Sequence, residues 1–447
     1  MMEKTTDLTA LFHVDMLSAV LMSLVAIVAI VIGSFSLRYL KGDRRQKAFF
    51  FNLAIVVTAV SVMVCADNIL LLLASWSISN ILLARLMLHK GEWKAAKQSS
   101  ILALKNFALG FVFLGAALII LYYFTGETSI RVILTKPLGF KWGIACDLLI
   151  LMAAMSQSAI WPFHRWLTSS LNSPTPVSAI MHAGLVNGGG FLLARFAPML
   201  ISEPAVLSLI FIAGITTALL GTLWKLMQSD VKRMLACSTM GQMGFMIAQC
   251  GLGLFPAAVA HLCWHGLFKA YLFLASGSAA KEKRLDLDYP PPIKDFLKAL
   301  FCGVLAAFLF AFTSGKHLLI ADTTLFLTFL SMIAGTQFAI PIIRGHAKSK
   351  LLQAVGASAF VGLFYGLNVR IIEIILEPLH ISVAQPLNMM HVIAAVLLLG
   401  SWLSMIFLPL RGRRSYPKWF LSRYVQMLNA SQPHPKTITA NRNEYQF

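Results

Sequence analysis

Residues 255–280 read FPAAVAHLCWHGLFKAYLFLASGSAA and contain two histidines and one lysine in a largely apolar segment. His261, His265 and Lys269 fall at positions i, i+4 and i+8, which share one face of an α-helix. Ionisable groups at bilayer depth are costly and usually mark ion or proton paths. Buried lysines and histidines can both change charge near neutral pH. The segment therefore predicts a transmembrane helix with a cation relay. The alternative is that backbone carbonyls satisfy both histidines and Lys269 extends to the membrane surface.

The rest of the chain is similarly apolar. Of its 447 residues, 58% are hydrophobic and only 12% are charged, whereas a soluble domain carries about 25% charged residues. The apolar runs are close to the ~20 residues that a spanning helix needs, and they do not alternate like barrel strands. The sequence predicts an all-α polytopic membrane protein with about thirteen spans, near residues 14–37, 49–64, 69–88, 101–124, 144–161, 176–196, 206–227, 234–252, 255–279, 296–313, 323–343, 351–367 and 387–408.

The positively charged residues are distributed regularly with respect to these predicted spans. A net charge of +19 could indicate a nucleic-acid partner, but most lysines and arginines lie in short loops after the odd-numbered spans. This pattern predicts membrane orientation and no nucleic-acid partner, with the N-terminus outside and the C-terminus in the cytoplasm. Residues 1–411 form the predicted transmembrane domain. Residues 412–447 form a basic, aromatic cytoplasmic tail, interpreted as an interfacial helix or docking surface, or alternatively as partly disordered.

Two spans are predicted to be broken. The fifth runs into Trp161–Pro162 and is followed by Asn172-Ser-Pro-Thr-Pro176, where Thr175 is a candidate N-cap and proline suits a first helical turn. The tenth ends in Thr313-Ser-Gly-Lys-His317, where Gly315 can open the backbone. Broken helices of this kind indicate an ion site near the middle of the membrane.

The candidate pathway residues are ionisable side chains within or at the ends of these spans. The stronger set is His182, His261, His265, Lys269 and Lys316. The weaker set, of which half or more are expected to be structural, is Asp67, Lys105, Asp147, Lys225, Asp322 and His391. Arg370 and Glu373 lie three residues apart and are interpreted as a surface pair.

The chain lacks motifs for covalent chemistry. The six cysteines have no metal-ligand or disulfide spacing, and no phosphate loop, dinucleotide glycine pattern or metal cluster is present. The sequence therefore predicts a transport or energy-coupling subunit that is not an enzyme, with no metal site and no cofactor in this chain.

Three stretches carry a family resemblance. Residues 166–182, 228–245 and 261–277 resemble the antiporter-like subunits of respiratory complex I and of Mrp-type sodium/proton antiporters, and the resemblance covers residues 67–316. It implies two inverted five-helix repeats with broken helices and a central lysine and histidine path, onto which His182, His261, His265, Lys269 and Lys316 fall. The chain departs from the family where Ser77 replaces a glutamate and Gln157 replaces a lysine. The charged pair of the first half is therefore absent.

Residues 181–198 and 313–317 are similar to a narrower group, the membrane subunits of DAB-type inorganic-carbon accumulation complexes. This resemblance implies a membrane subunit in the inner membrane of a bacterium that conducts protons or sodium. It also implies a large peripheral DabA-like partner on the cytoplasmic side, which holds the zinc of a carbonic-anhydrase-like site. Two other functions stay open. One is a sodium/proton antiporter or complex I-like proton-translocating subunit, and the other is a scaffold that only anchors an enzyme.

Overall fold

A computed structural model of the protein describes residues 11–281, 290–345, 350–407 and 416–438. Across these ranges all regular structure is helical, and the only β-type pairings are isolated bridges such as Phe12 with Ala66. The all-α prediction is confirmed. The chain divides into two compact units. Unit 1 comprises residues 1–251, 261–280 and 425–447, and unit 2 comprises residues 252–260 and 281–424.

Side chains at the helix boundaries of unit 1 help to set where its helices begin. Asp15 caps the first helix by accepting a hydrogen bond from the Ser18 amide at 2.8 Å, and Asn68 caps the third by accepting from the Leu70 amide at 2.9 Å. Such caps satisfy amide groups that have no partner inside the helix. The helices of unit 1 are α1 (Met16–Tyr39), α2 (Gln46–Cys65), α3 (Ile69–Met87), α4 (Lys94–Thr125), α5 (Ile130–Ile133), α6 (Phe140–Gln157), α7 (Arg165–Thr168), α8 (Thr175–Ala183), α9 (Gly188–Arg195), α10 (Ala197–Ile201), α11 (Pro204–Leu226) and α12 (Val231–Gly251).

The next helix has residues in both units. It is α13 (Phe255–Leu274), whose residues 255–260 belong to unit 2 and whose remaining residues belong to unit 1. The other helices of unit 2 are α14 (Ile293–Ser314), α15 (Thr323–Arg344), α16 (Lys350–Leu376) and α17 (Met389–Phe407). One more helix, α18 (Lys418–Ala430), lies in the tail.

Twelve stretches of the described chain are long and apolar enough to cross a membrane. The remaining expected span, residues 234–252, is the helix α12, which carries Ser238, Thr239, Gln242 and Gln249 and is more polar than the others. The polytopic fold is confirmed, and the count of thirteen is approximate.

The first predicted break is present in unit 1. Helix α6 ends at Gln157, and Ala159 then adopts a left-handed φ of +53°. Helix α8 begins at Thr175, with Pro176 in its first turn and Pro174 as the residue before it. The prediction that Thr175 is the N-cap is therefore wrong by one residue, because Thr175 is already helical and Pro174 stands at the N-cap.

A further interruption was missed by the sequence interpretation. Residues 176–196 were expected to form one continuous span. Instead, α8 ends at Ala183, a 3-10 turn covers Leu185–Asn187, and α9 follows. The departure occurs at Gly184, whose φ and ψ are −115° and −81°. This places a second backbone irregularity two residues after His182.

The predicted break in unit 2 is also present. Helix α14 ends at Ser314, and Gly315 has a left-handed φ of +68°, a conformation that costs a glycine little and most other residues more. The turn ends α14 next to Lys316.

The tail is described over residues 416–438, while residues 412–415 and 439–447 of the predicted tail lie outside the described part. No residue of α18 is buried. The residues after α18 attach to unit 1 through polar contacts: the Gln228 amide donates to the Ser431 hydroxyl at 2.9 Å, and the Asn172 amide donates to the Thr437 carbonyl at 2.9 Å. The role of the tail as an interfacial or docking helix stays a prediction.

Candidate ion-conducting site

The three cationic positions of α13 lie on one face of a continuous helix. The ring centroids of His261 and His265 are 6.0 Å apart, with an interplanar angle of 22°. One turn further on, the Lys269 ammonium donates a hydrogen bond to the backbone carbonyl of Leu235 on α12, at 3.3 Å. The lysine is therefore held inside unit 1 against a neighbouring helix.

His182 joins this group from the end of α8. Its ring is stacked on the Phe273 ring of α13, with a centroid distance of 4.2 Å. His265 interacts with the backbone of His182 and lies within electrostatic range of His261 and Lys269. Four of the five stronger candidates, which we call the unit 1 cluster (His182, His261, His265 and Lys269), are thus brought together.

The approach of α8 to α13 depends on a glycine. A Cβ atom on Gly266 would lie 2.8 Å from the Ala183 carbonyl oxygen and 3.5 Å from the Asn187 amide nitrogen. Any larger residue must push the helices apart. Gly266 and the interruption at Gly184 together allow His182 to meet the α13 face.

Three of the four cluster side chains are buried, His261 is partly exposed, and the cluster is incompletely hydrogen-bonded. The exposed fraction is 1% for Lys269, 1% for His182 and 5% for His265. Within the described chain, Nδ1 of His182 and Nε2 of both His261 and His265 have no hydrogen-bond partner. Buried polar atoms are normally paired, and exceptions commonly have a functional role or bind water. These nitrogens can accept a proton and pass it on, as a relay requires.

One cation near the cluster was not among the sequence candidates. Lys232, in the first turn of α12, lies within electrostatic range of His182, and its ammonium donates to the Ser173 carbonyl at 3.2 Å. The sequence interpretation assigned it to a loop because Lys232 and Arg233 follow an odd-numbered span.

The fifth candidate, Lys316, lies in unit 2 and has a partner that the sequence did not indicate. Its ammonium is 2.7 Å from Oε1 of Glu373 on α16. The side chains of Lys316 and Glu373 are 13% and 17% exposed. The expected pair of Arg370 and Glu373 is present at 3.9 Å, but Glu373 is largely buried and its closer contact is Lys316. The partners are 57 positions apart in the chain, so no local signal marked the pair.

Comparisons with known proteins agree on one family. Residues 66–290 match the family model described as NADH:quinone oxidoreductase/Mrp antiporter, TM. Residues 1–50 match the model described as NADH-ubiquinone oxidoreductase (complex I), chain 5 N-terminus. The probable inorganic carbon transporter subunit DabB of Bacillus subtilis (strain 168) is 32% identical, over 96% of this chain and 85% of that protein. The chain belongs to this antiporter-like family.

Other members of the antiporter-like family match over shorter stretches. The probable inorganic carbon transporter subunit DabB1 of Halothiobacillus neapolitanus (strain ATCC 23641 / c2) is 36% identical over 64% of this chain and 53% of its own length. NADH-quinone oxidoreductase subunit L of Escherichia coli (strain K12) is 36% identical over 59% of this chain and 44% of its own length. The chain thus spans about half the length of these two relatives.

A solved structure shares the fold of the antiporter-like family. The Mrp complex from Dietzia sp. DQ12-45-1b matches with a TM-score of 0.60 and 21% identity, over 94% of this chain and 52% of that chain. At this identity the likeness shows the fold alone. It supports the prediction of an antiporter-like fold with broken helices.

Where this chain departs from the antiporter-like family, the structure shows a neutral pair. The Asn80 and Gln157 side chains donate to each other through two hydrogen bonds of 3.0 Å. The Gln157 amide also donates to the Leu185 carbonyl in the 3-10 turn, at 3.0 Å. Gln157 therefore ties the end of α6 to the interruption after α8. Ser77 only donates to the Leu73 carbonyl of its own helix.

Two of the weaker candidates have structural roles. Asp67 accepts hydrogen bonds from the Ser129 hydroxyl at 2.6 Å and the Arg131 amide at 2.9 Å. Asp322 caps α15 by accepting from the Thr324 amide at 2.8 Å. Both carboxylates therefore serve local backbone geometry.

The other weaker candidates are not joined to the unit 1 cluster by a hydrogen bond. Lys105 on α4 and Lys225 on α11 are exposed. His391 is buried in the first turn of α17, where its Nδ1 accepts from the Asn388 amide at 3.1 Å. Asp147 on α6 is fully buried, and neither carboxylate oxygen has a hydrogen-bond partner in the described residues.

The described residues contain no candidate metal site. No group of three or more His, Cys, Asp or Glu side chains among the described residues is arranged to hold an ion. All six cysteines are free, five of them buried.

Proposed function

We propose that this chain is the cation-conducting membrane subunit of a two-component inorganic-carbon uptake complex. The observation that carries the proposal is the unit 1 cluster, in which three histidines and a lysine meet inside a membrane-spanning bundle. Charged or protonatable groups at this depth are expensive and are kept mainly for ion movement. The proposed route uses His182, Lys269, His265 and His261 in unit 1 and Lys316 in unit 2.

The inorganic-carbon assignment is supported by relatives that are named probable inorganic carbon transporter subunits. In the proposed complex the ion gradient drives CO2 hydration to bicarbonate by a large peripheral DabA-like zinc subunit on the cytoplasmic side. That partner, its zinc, the inner-membrane location and the orientation with a cytoplasmic C-terminus are parts of the proposal.

The experiment measures cation flux through the full chain in proteoliposomes, with a pH-sensitive dye inside and an imposed membrane potential. Lys269→Met should lower the flux at least about tenfold, because an apolar side chain cannot carry charge. Phe268→Leu is the matched control, since Phe268 is the adjacent residue and is 58% exposed. Undiminished flux in Lys269→Met would contradict the proposed route.

A second assay separates the carbon system from the alternative function. Co-expression with a zinc-containing partner should support growth at ambient CO2 for the wild type and not for Lys269→Met. The alternative, a sodium/proton antiporter, is favoured by the Mrp description of the matching family model. It predicts sodium-dependent proton exchange by this chain without a partner and no effect on carbon-dependent growth.

A further inference from the structure

A polar vestibule lies beside the ion pair of unit 2. It has a volume of about 270 Å³ and is lined by the end of α16 and the residues that follow it. Its polar and charged lining residues are Arg370, Glu373, Glu377, His380 and Ser382. The space is large enough for several water molecules, since one water needs about 10–15 Å³.

Glu373 is also part of a second, narrower cavity. That cavity is lined by Lys316, by Pro256 and Ala257 from the first turn of α13, and by Glu373 and Ser382. Its volume of about 10 Å³ fits a single water-sized species. Glu373 and Ser382 thus separate the wide vestibule from the narrow cavity that holds Lys316.

The two carboxylate oxygens of Glu373 are in different situations. Oε1 accepts from the Lys316 ammonium at 2.7 Å and from the Ser382 hydroxyl at 2.8 Å. Oε2 is buried and has no hydrogen-bond partner among the described residues. Nη1 of Arg370 lies 3.9 Å from Oε2, which is too distant for a hydrogen bond. Oε1 is therefore engaged in hydrogen bonds, whereas Oε2 is available to accept a cation.

The local charges favour a monovalent cation. Lys316 and Arg370 are positive and Glu373 and Glu377 are negative, so these four side chains balance at neutral pH. A proton bound at Oε2, or a sodium ion coordinated by carboxylate oxygen, adds one positive charge and weakens the hold of Glu373 on Lys316. A divalent ion would add twice that charge beside two existing cations.

We propose that Glu373 binds the conducted monovalent cation, a proton or sodium ion, in exchange with Lys316, and that the vestibule is where this cation enters or leaves unit 2. The inference rests on the proposed cation-conducting function and adds a residue and a site to it. Binding at Oε2 frees the Lys316 ammonium, and return of the ammonium expels the cation.

The test uses the full chain in proteoliposomes and three variants of the vestibule. Glu373→Gln should lower flux at least about tenfold, because a neutral amide cannot exchange a cation for Lys316. Glu373→Asp keeps the carboxylate and should retain a measurable flux with a shifted pH midpoint. Glu377→Gln removes a carboxylate from the same vestibule and should stay within about twofold of the wild type. Flux in Glu373→Gln equal to that of the wild type would overturn the inference.

The double variant Lys316→Met/Glu373→Gln guards against misfolding, because neither side chain of the buried pair is left charged without the other. It should be as stable as the wild type and still conduct poorly. If the double variant conducted as well as the wild type, Glu373 would serve only to neutralise the charge of Lys316. That result would overturn the inference.

Sodium and choline buffers separate the two cations. If the wild type conducts only in sodium buffer and Glu373→Asp no longer needs sodium, the cation bound at Glu373 is sodium. If the wild-type flux does not depend on sodium, the bound cation is the proton. A wild-type chain that conducts neither cation overturns the proposed function itself and the inference with it. Wild-type flux with unaffected Glu373→Gln overturns the inference alone.

Discussion

The two broken helices of this protein end beside polar pairs of opposite character. At the first break, in unit 1, Asn80 and Gln157 form a neutral pair with two 3.0 Å hydrogen bonds. At the second, in unit 2, Lys316 and Glu373 form an ion pair at 2.7 Å. Both pairs lie next to a helix end, where backbone groups lose their helical partners. Polar side chains therefore lie beside both helix ends, and at the first of them the polar pair carries no charge.

The difference lies in what each pair can do. The amide pair satisfies its own donors and acceptors, and amides do not titrate, so it holds the break at any ordinary pH. The ion pair is attached to a polar vestibule and leaves one carboxylate oxygen without a partner. Under the proposed function, the charged pair serves ion movement, whereas the neutral pair stabilises the break beside it.

The largest expected effect comes from comparing substitutions at the two helix breaks. Lys316→Met should reduce cation flux at least about tenfold, since it removes the ammonium group that is proposed to exchange with the cation at Glu373. Gln157→Leu should leave flux within about twofold while costing about 1–3 kcal/mol of stability, because it leaves the Asn80 amide and the Leu185 carbonyl unpaired. Flux assays and thermal melts of both purified variants check this. Equal loss of flux in both would remove the distinction between the two breaks.

A second buried ion pair, in unit 1, tests whether charge alone matters. Arg195 on α9 binds the Asp15 carboxylate, and it also donates to the Ser18 hydroxyl and the Val64 carbonyl at 3.0 Å each. The Arg195 and Asp15 side chains are only 12% and 10% exposed. Arg195→Met should cost about 3–5 kcal/mol, the cost of an unpaired buried charge.

The flux per folded Arg195→Met molecule should match that of the wild type. The folded fraction is first isolated by size-exclusion chromatography, and its flux is then measured. Replacing both partners, as in Asp15→Asn/Arg195→Met, should recover part of the stability. A flux loss as large as that of Lys316→Met would show that any buried ion pair is needed for conduction.

A glycine substitution tests the geometry of the unit 1 cluster. Gly266→Ala places a Cβ 2.8 Å from the Ala183 carbonyl, and overpacking of this kind costs about 1–3 kcal/mol. It should also separate His265 from His182 and lower the flux. Gly277→Ala is the matched control, because nothing lies within 4 Å of its added Cβ. Identical melting temperatures and flux for the two variants would contradict the close approach of α8 and α13.

The smallest effect concerns a carboxylate outside the membrane-spanning helices. The His89 ring hydrogen-bonds to the Asp43 carboxylate at 3.0 Å, and together with the Arg45 amide it lowers the pKa of Asp43. A lowered folded-state pKa stabilises the protein above the unfolded value of about 3.9 and stops doing so as the pH falls through the folded value. Asp43→Asn should therefore cost under about 1 kcal/mol at pH 7 and less at pH 3.

Thermal melts at the two pH values check this difference. Glu92→Gln serves as the control, since Glu92 pairs with Arg45 at an exposed site. A destabilisation by Asp43→Asn that grows as the pH falls would contradict the assigned interaction.

The spacing of residues was enough to predict part of the site. A helix has a fixed period, so His261, His265 and Lys269 had to share a face once the segment was helical. Proline and glycine similarly located the breaks after Gln157 and Ser314. Glu373, Lys232 and Asn80 were not recognised, because their partners lie on other helices and their local sequence looks like an ordinary helix end or helix face.

The sequence by itself determined that this protein is an all-helical bundle in a membrane, that two helices break, and that three ionisable side chains share one helix face. Those properties follow from apolar run length, backbone restrictions and helical period, all of which act over short stretches of chain. Only the tertiary structure decided that His182 stacks on Phe273, that Asn80 pairs with Gln157 and that Glu373 holds Lys316. Each of these contacts joins residues far apart in the chain, and the packing of whole helices, rather than any local preference, selects them.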